Sequence, residues 1–228
     1  MTYITESRQP ELLMLVGIPA SGKSSFSRER EREGYTVLSS DRIRETYLSA
    51  EGKVDMPEDE NRLFDLNRRV FREITERAIA LLREGRSVVI DATNLNRRRR
   101  MNLLREIGVA RCVKKCVLFI TPREVCLERN SGRSGIARVP DADMRKMIAT
   151  FECPVLAEGW DAITPVIYGK EYRFPFEKAR DFSQDNPHHS LTLYEHLAAA
   201  RRYAEENGFK AELVAEGEHY DYLARLSC

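Results

Sequence analysis

Near the N-terminus, Gly17-Ile18-Pro19-Ala20-Ser21-Gly22-Lys23-Ser24 sets two glycines, a lysine and a hydroxyl at the spacing G-x-x-x-x-G-K-[ST]. The chemistry open to such a string is the holding of phosphates. Glycines let successive backbone N–H groups turn toward one point, and a helix beginning where the loop ends adds its positive pole there. Lys23 supplies a cation for the outer phosphates of a nucleoside triphosphate such as ATP, and the Ser24 hydroxyl a ligand for Mg2+. Ser25 opens the helix and completes the nucleotide-binding run. The context gives the pattern its meaning: Leu12–Val16 is an apolar run that reads as a buried strand, and Ser25–Arg32 reads as the start of a helix. The loop implies a bound triphosphate and leaves the fate of its terminal phosphate to other residues.

Three more groups of side chains fall at the ends of expected strands, where ligands sit in an open parallel sheet. Asp41 directly follows Thr36–Ser39. Its carboxylate could take the proton of an attacking hydroxyl, with Arg44 clamping an acceptor phosphate, or Asp41 could cap the helix that follows. The two roles are compatible. Asp91 closes the Ser87–Ile90 strand and is suited to Mg2+ or its water shell, while Thr93 and Asn94 offer short polar groups at the crevice. Arg97–Arg100 then stand at a helix start, the unfavourable end for cations. A polynucleotide backbone would account for one or two of them, Arg97 and Arg98 foremost; a solvated face would account for them equally. Finally, Arg129 and Arg133 lie in a stretch of arginines interleaved with glycines. As a lid they would fold over the triphosphate and stabilise charge during transfer.

The elements that must position these residues alternate as in an α/β fold with a parallel sheet of about five strands flanked by helices. The strands are expected near Leu12–Val16, Thr36–Ser39, Ser87–Ile90, Lys115–Ile120 and Ile163–Tyr168. The spacing predicts helices over Asp41–Leu48, Glu58–Arg83, Asn96–Ile107, Pro122–Asn130 and Pro140–Phe151, the last with proline at its first position. Gly85 and Gly108 stand where a left-handed residue ends a helix. Beyond residue 162 the texture changes to a proline-bearing linker or arm over 163–187, then to helical patterns over Ser190–Asn207 and Gly217–Leu226. The expected division is a kinase-like domain over 1–162, the arm, and a helical appendage over 188–228.

The net charge of +1 over 228 residues excludes a global basic field, so any contact with nucleic acid is local. The five cysteines form no C-x-x-C pair, which removes a structural zinc site and reads as reduced thiols in a cytoplasmic protein. No segment has the length and hydropathy of a signal or a membrane span, so no membrane partner is expected. No Asn-Lys-x-Asp element marks a guanine-reading switch.

The four groups together resemble the phosphotransferase domain of the phage-type 5′-hydroxyl polynucleotide kinases. The matching pieces, in family order over about the first 155 residues, are Gly17–Ser24, Asp41 with Arg44, Thr93–Asn96 with the following arginines, and Arg129-Asn130-Ser131 with Arg133 and Val139-Pro140. The resemblance implies a P-loop kinase with an arginine-rich lid that transfers phosphate from ATP with Mg2+ to the 5′-OH end of RNA or DNA. It implies Asp41 as general base, Arg44 on the neighbouring acceptor phosphate, Lys23 and Ser24 on the donor and metal, and Arg129 and Arg133 closing over the donor. In that family the acid stands immediately before Thr-Asn; here Ala92 does, and Asp91 lies one step earlier, which reverses the side a strand residue faces. Gln184–His196 resembles the opening of an HD-type phosphohydrolase domain, but no His-Asp doublet follows, so no phosphohydrolase activity is expected. The alternatives are a small-molecule kinase of the same P-loop group, acting on a nucleoside, sugar or nucleotide sugar, and a nucleotide-gated binding module.

Overall fold

The computed structural model describes residues 9–171, apart from 54, 58, 122, 153, 168 and 169, together with 210–212 and 225–227. At its centre is β1 (Glu11–Val16), every residue of which is buried. Around it the sheet runs in the order β2 (Thr36–Ser39), β3 (Val88–Asp91), β1, β4 (Val113–Ile120), β5 (Ala162–Ile167) and β6 (Lys170–Glu171). The first five are parallel, and β6 pairs antiparallel with β5 at the edge. Strands buried on both faces carry apolar runs, as β1 and β3 do, and the five parallel strands lie where the sequence placed them. The helices are α1 (Lys23–Arg32), α2 (Ser40–Ala50), α3 (Glu60–Arg83), α4 (Arg97–Ile107), α5 (Arg123–Ser131) and α6 (Asp141–Ala149).

The handedness of the crossovers sorts these helices. From β1 the chain crosses to β2 in one direction, and every later crossover between parallel strands runs in the other. Right-handed connections then put α1 on one face and the rest on the opposite face. The core follows the pleat accordingly. Leu12, Met14 and Val16 join Val88, Ile90 and Leu118 beneath α2, α3, α4 and α6. Leu13, Leu15, Val89, Val117 and Phe119 lie on the α1 side. There Phe26 meets Phe119 edge to face at 5.6 Å. Helix α3 buries Leu66, Val70, Ile74, Ala78 and Leu82 as one stripe of i, i+4 steps, each larger side chain contributing about 1.5–3 kcal/mol. Because β1 and β3 are neighbours whose chains leave toward opposite faces, a crevice opens at their carboxyl ends.

Several local expectations change. Ser39, not Asp41, caps α2, its hydroxyl accepting from the Arg42 N–H at 3.4 Å, and Asp41 lies in the first turn. Pro140 is the N-cap of α6 rather than its first helical residue. Gly85 is left-handed at φ 78°, but Gly108 has φ −56°. A Cβ at 108 would come to 3.1 Å from the Arg105 carbonyl, a close approach that a small shift relieves. In the C-terminal part, β7 (Lys210–Glu212) and β8 (Arg225–Ser227) pair antiparallel. The helix expected over Gly217–Leu226 therefore does not include its last two residues, whose backbone groups find partners across the hairpin. The arm from 172, the Ser190–Asn207 helix and the HD-like histidines lie outside the described residues. No helix among the described residues is long and apolar enough to cross a membrane. Cys112, Cys116 and Cys126 are buried and free of disulfides.

Candidate nucleotide and acceptor site

The loop after β1 is fixed from three sides. Its first glycine donates its N–H to the Thr93 carbonyl at 3.1 Å, which ties it to the end of β3. The Thr121 hydroxyl, just past β4, donates to the Ser21 carbonyl at 2.8 Å. A Cβ at Gly17 would meet the Phe119 Cβ at 2.8 Å and the Ser21 Oγ at 2.9 Å, so only glycine permits this approach. Ala20 holds a left-handed φ of 64°, a strained conformation that persists only where the surroundings enforce it. Gly22, at φ 106°, heads α1 with no side-chain cap, and no acidic residue occupies the first turn. The open helix start, with its orphan N–H groups, fits an anion.

Lys23 lies inside this loop. Its ammonium donates to the Gly17 carbonyl at 2.8 Å, the Ile18 carbonyl at 2.6 Å and the Ser21 hydroxyl at 3.3 Å. Burial lowers its pKa to about 8, against the raising influence of Asp91, Cys126 and Asp41 and with a further lowering by Arg133. Those causes also map the site, because they place Asp41, Asp91 and Arg133 within electrostatic reach of one ammonium. Ser24 and Ser25 are exposed at the head of α1.

The displacement of Asp91 by one residue has a geometric outcome. Asp91 is the last residue of β3, opposite Ser39 of β2, and shares the pleat face of Val89 on the α1 side. Its carboxyl is buried, hydrogen-bonded to Ser27 and close to Lys23, and desolvation pushes its pKa upward. The side chain therefore reaches the nucleotide side of the sheet. Among the described residues no cluster of three His, Cys, Asp or Glu side chains could hold a metal. Ser24 directly and Asp91 through water could hold Mg2+, a set that fits an ion carried mainly by phosphate oxygens.

At the head of α2 the Asp41 carboxylate accepts from Arg44 Nη1 at 2.6 Å and is 62% exposed, whereas Arg44 is 16% exposed. Arg44 is oriented further by Asn67 Oδ1 of α3 at 3.0 Å and by the Ser40 hydroxyl at 3.3 Å. Burial lowers the Arg44 pKa, offset in part by Asp41. The arrangement leaves one flank of a fixed guanidinium and most of a carboxylate facing solvent.

The lid segment runs from α5 to α6. Fully buried Asn130 donates to the Val139 carbonyl at 2.7 Å and accepts from the Val139 N–H at 3.1 Å. Its amide thereby closes both ends of the loop. Within that loop a 3-10 turn, Gly135–Ala137, packs near α2, and Arg133 donates to the Ala137 carbonyl at 3.3 Å. Arg133 is half-buried and acts on Lys23, whereas Arg129 is exposed on α5.

The arginine run divides. Arg100 is fully buried and paired with Glu158 through Nη2 at 2.6 Å and Nε at 2.8 Å, and its Nη1 donates to the Asn94 and Leu95 carbonyls at 3.0 Å each. Glu158 also accepts from the Val155 N–H and the Trp160 indole. Asn94, at φ 49°, donates its amide to the Leu15 carbonyl at 2.7 Å, so it braces the turn against β1. Thr93 and Asn94 line a cavity of about 180 Å3 between α3, α4 and α6. Arg97 and Arg98 instead line a cleft of about 490 Å3 along another flank of α4, with Glu152 and Lys114. The structure thus brings Lys23, Asp41, Arg44, Asp91 and Arg133 together and sets Arg97 and Arg98 apart. Asn67, Thr121 and Glu158 were not singled out from sequence, and Asn130 was noted only within the lid motif. Thr121 had a usable signal, a polar residue at the end of a strand beside the loop; the others depend on tertiary partners.

A five-stranded parallel sheet ordered 2-3-1-4-5, a phosphate loop after its central strand and an arginine-bearing lid define a P-loop kinase fold, a kinase-type phosphotransferase domain. Residues 12–154 match the family model described as an AAA domain, and the chain belongs to that family. No curated protein matches it. Among solved structures, a chain of the Pnkp1/Rnl/Hen1 complex is 27% identical, with a TM-score of 0.45, over 53% of this chain and 38% of that one. A chain of the Pnkp1/Rnl/Hen1 RNA repair complex is 22% identical, with a TM-score of 0.52, over 66% and 46% of the two chains. This chain therefore spans less than half the length of those relatives. A protein assigned as a kinase from Chloroflexus aurantiacus is 17% identical, with a TM-score of 0.54, over 87% of this chain and 97% of that one.

Proposed function

We propose that this chain phosphorylates the 5′-hydroxyl end of RNA or DNA, with a nucleoside triphosphate such as ATP as donor. The observation that carries the reading is the Asp41–Arg44 couple: a carboxylate relieved of capping by Ser39, beside an anchored guanidinium, within electrostatic reach of Lys23. An acceptor that presents a hydroxyl next to a phosphate needs a base and a cation in that order of distance from the donor. Asp41 takes the proton of the attacking 5′-hydroxyl as its oxygen bonds to the γ-phosphorus and the bond to the β-bridging oxygen breaks. Arg44 holds the phosphate that follows the acceptor nucleoside. Lys23 exchanges its loop carbonyls for phosphate oxygens, and the α1 N–H groups bind the same anion. Arg133, carried by the lid, adds positive charge at the transferring group. Ser24 directly, and Asp91 through a metal-bound water, would hold Mg2+, which would offset charge on the outer phosphates.

Incubation with γ-labelled ATP, Mg2+ and a 5′-OH oligonucleotide tests this, in single-stranded, duplex and nicked forms. A labelled 5′ end supports it, and no label under a range of metals and salts refutes it. Phosphate contacts dominate acceptor binding in this reading, so acceptor KM rises with salt. The same base could serve a small alcohol, and a panel of nucleosides and sugars in the same assay separates that case.

A further inference from the structure

We propose that the cavity between α3, α4 and α6 is a base pocket, which takes the heterocycle of the acceptor's terminal nucleotide and makes Phe71 and Met147 specificity-determining residues. This rests on the polynucleotide reading above and names the part of the acceptor that is recognised.

The cavity, of about 180 Å3, abuts the phosphate loop through one residue, because Thr93 lines it while its carbonyl accepts from the Gly17 N–H. A group lodged there is attached within one residue of the loop. One part of its wall is apolar, formed by Phe71 from α3, Met147 from α6, and Met14 and Leu95 from the sheet side; the rest is polar. Phe71 and Met147 are half-buried and pack against the main core, so the walls stand in place before any ligand arrives.

The polar atoms around it are mostly committed. The Asn94 amide is spent on Leu15, the Arg100 guanidinium on Glu158 and two carbonyls, and the Asn96 Oδ1 on the Arg99 N–H. The Thr150 hydroxyl donates to the Lys146 carbonyl. What remains is the Thr93 hydroxyl, the Asn94 Oδ1, the Asn96 amide nitrogen and Arg99, exposed at the rim and without an ion pair among the described residues.

A hexose or sugar acid brings a hydroxyl on nearly every carbon, and each one buried without a partner is costly. The four remaining polar groups are too few to serve it. A nucleobase has two apolar faces and a short polar edge, and it gains most from an aromatic wall and a planar guanidinium. The aromatic and thioether wall, together with polar neighbours that are mostly committed to partners of their own, therefore selects the base over a polyol.

The test uses two 5′-OH oligonucleotides that differ only in whether the terminal nucleotide carries its base or is abasic. They are compared in wild type, Phe71→Ala and Phe71→Leu, the last keeping the core filled. In wild type the abasic acceptor has a KM about tenfold higher, as expected for one lost stacking contact; in both variants the two KM values converge. Equal KM values in wild type overturn the pocket and leave the kinase reading standing. If neither oligonucleotide is phosphorylated, the kinase reading fails, and ligand-observed NMR with a nucleoside 3′-phosphate and with ribose phosphate still decides the pocket. Base-dependent binding that Phe71→Ala removes upholds it; binding indifferent to the base, or none, overturns it.

Discussion

Lys23 gives the sharpest numerical test. Its pKa falls from 10.5 to about 8 because the ammonium is buried among carbonyls with only partial compensation from Asp91 and Asp41. A shift of that size corresponds to about 3 kcal/mol. The folded state resists protonation of this lysine more than the unfolded chain does. The penalty is fully present below about pH 8, shrinks between pH 8 and 10.5, and is gone above the unfolded value. A triphosphate replaces carbonyl dipoles by full negative charges, which restores the preference for the ammonium. Nucleotide binding must then take up a proton wherever the free protein has lost one. At pH 7 the lysine is already charged. At pH 9, one unit above its pKa, roughly 0.9 proton is taken up per nucleotide bound. Isothermal calorimetry in buffers of different ionisation enthalpy reads this number as the slope of observed heat against buffer enthalpy. Asp91→Asn removes the largest compensating charge, so its proton uptake begins at lower pH than in wild type. A slope near zero at pH 9 would refute the assignment of the shifted group to this lysine, as would an Asp91→Asn profile unchanged from wild type.

Asp41→Ala lowers kcat about 10²–10⁴-fold while nucleotide affinity is kept, checked by single-turnover transfer alongside calorimetry; undiminished turnover would assign the base elsewhere. Asn130→Ala strands the Val139 backbone groups and costs about 1–3 kcal/mol, with a raised KM for the donor because Arg133 loses its fixed base. Thermal denaturation and donor kinetics read the two effects. Arg100→Met leaves Glu158 buried with only Arg97 Nε, 3.9 Å away, as counter-charge and costs about 3 kcal/mol in urea unfolding. The double variant Arg100→Met, Glu158→Met recovers part of that loss.

Strands β1 and β3 were legible because burial on both faces writes a nearly unbroken apolar run, and α3 because one stripe recurs every fourth residue. The nucleotide loop was legible because its spacing encodes a backbone path. The cap of α2 was not, since Ser39, Ser40 and Asp41 are all good caps in a row and only the path of the chain chooses among them. Nor could the buried arginine be picked from Arg97–Arg100. That choice depends on the phase of α4 relative to Glu158, which is 58 residues away in sequence. Asn130 looked like part of a lid motif, while its role comes from a partner nine residues on. Strand β6 is two residues long and leaves no periodic trace.

The two-ended amide clasp of Asn130 on Val139 separates two properties of the arginine-bearing segment. Because entry and exit are pinned at one point, the number of residues between them does not set where α5 ends and α6 begins. Added length costs only the slowly growing entropy of closing a longer ring. This stretch can therefore be rebuilt, in reach or in charge, without re-engineering the sheet, and different donors could be accommodated by altering a surface excursion alone.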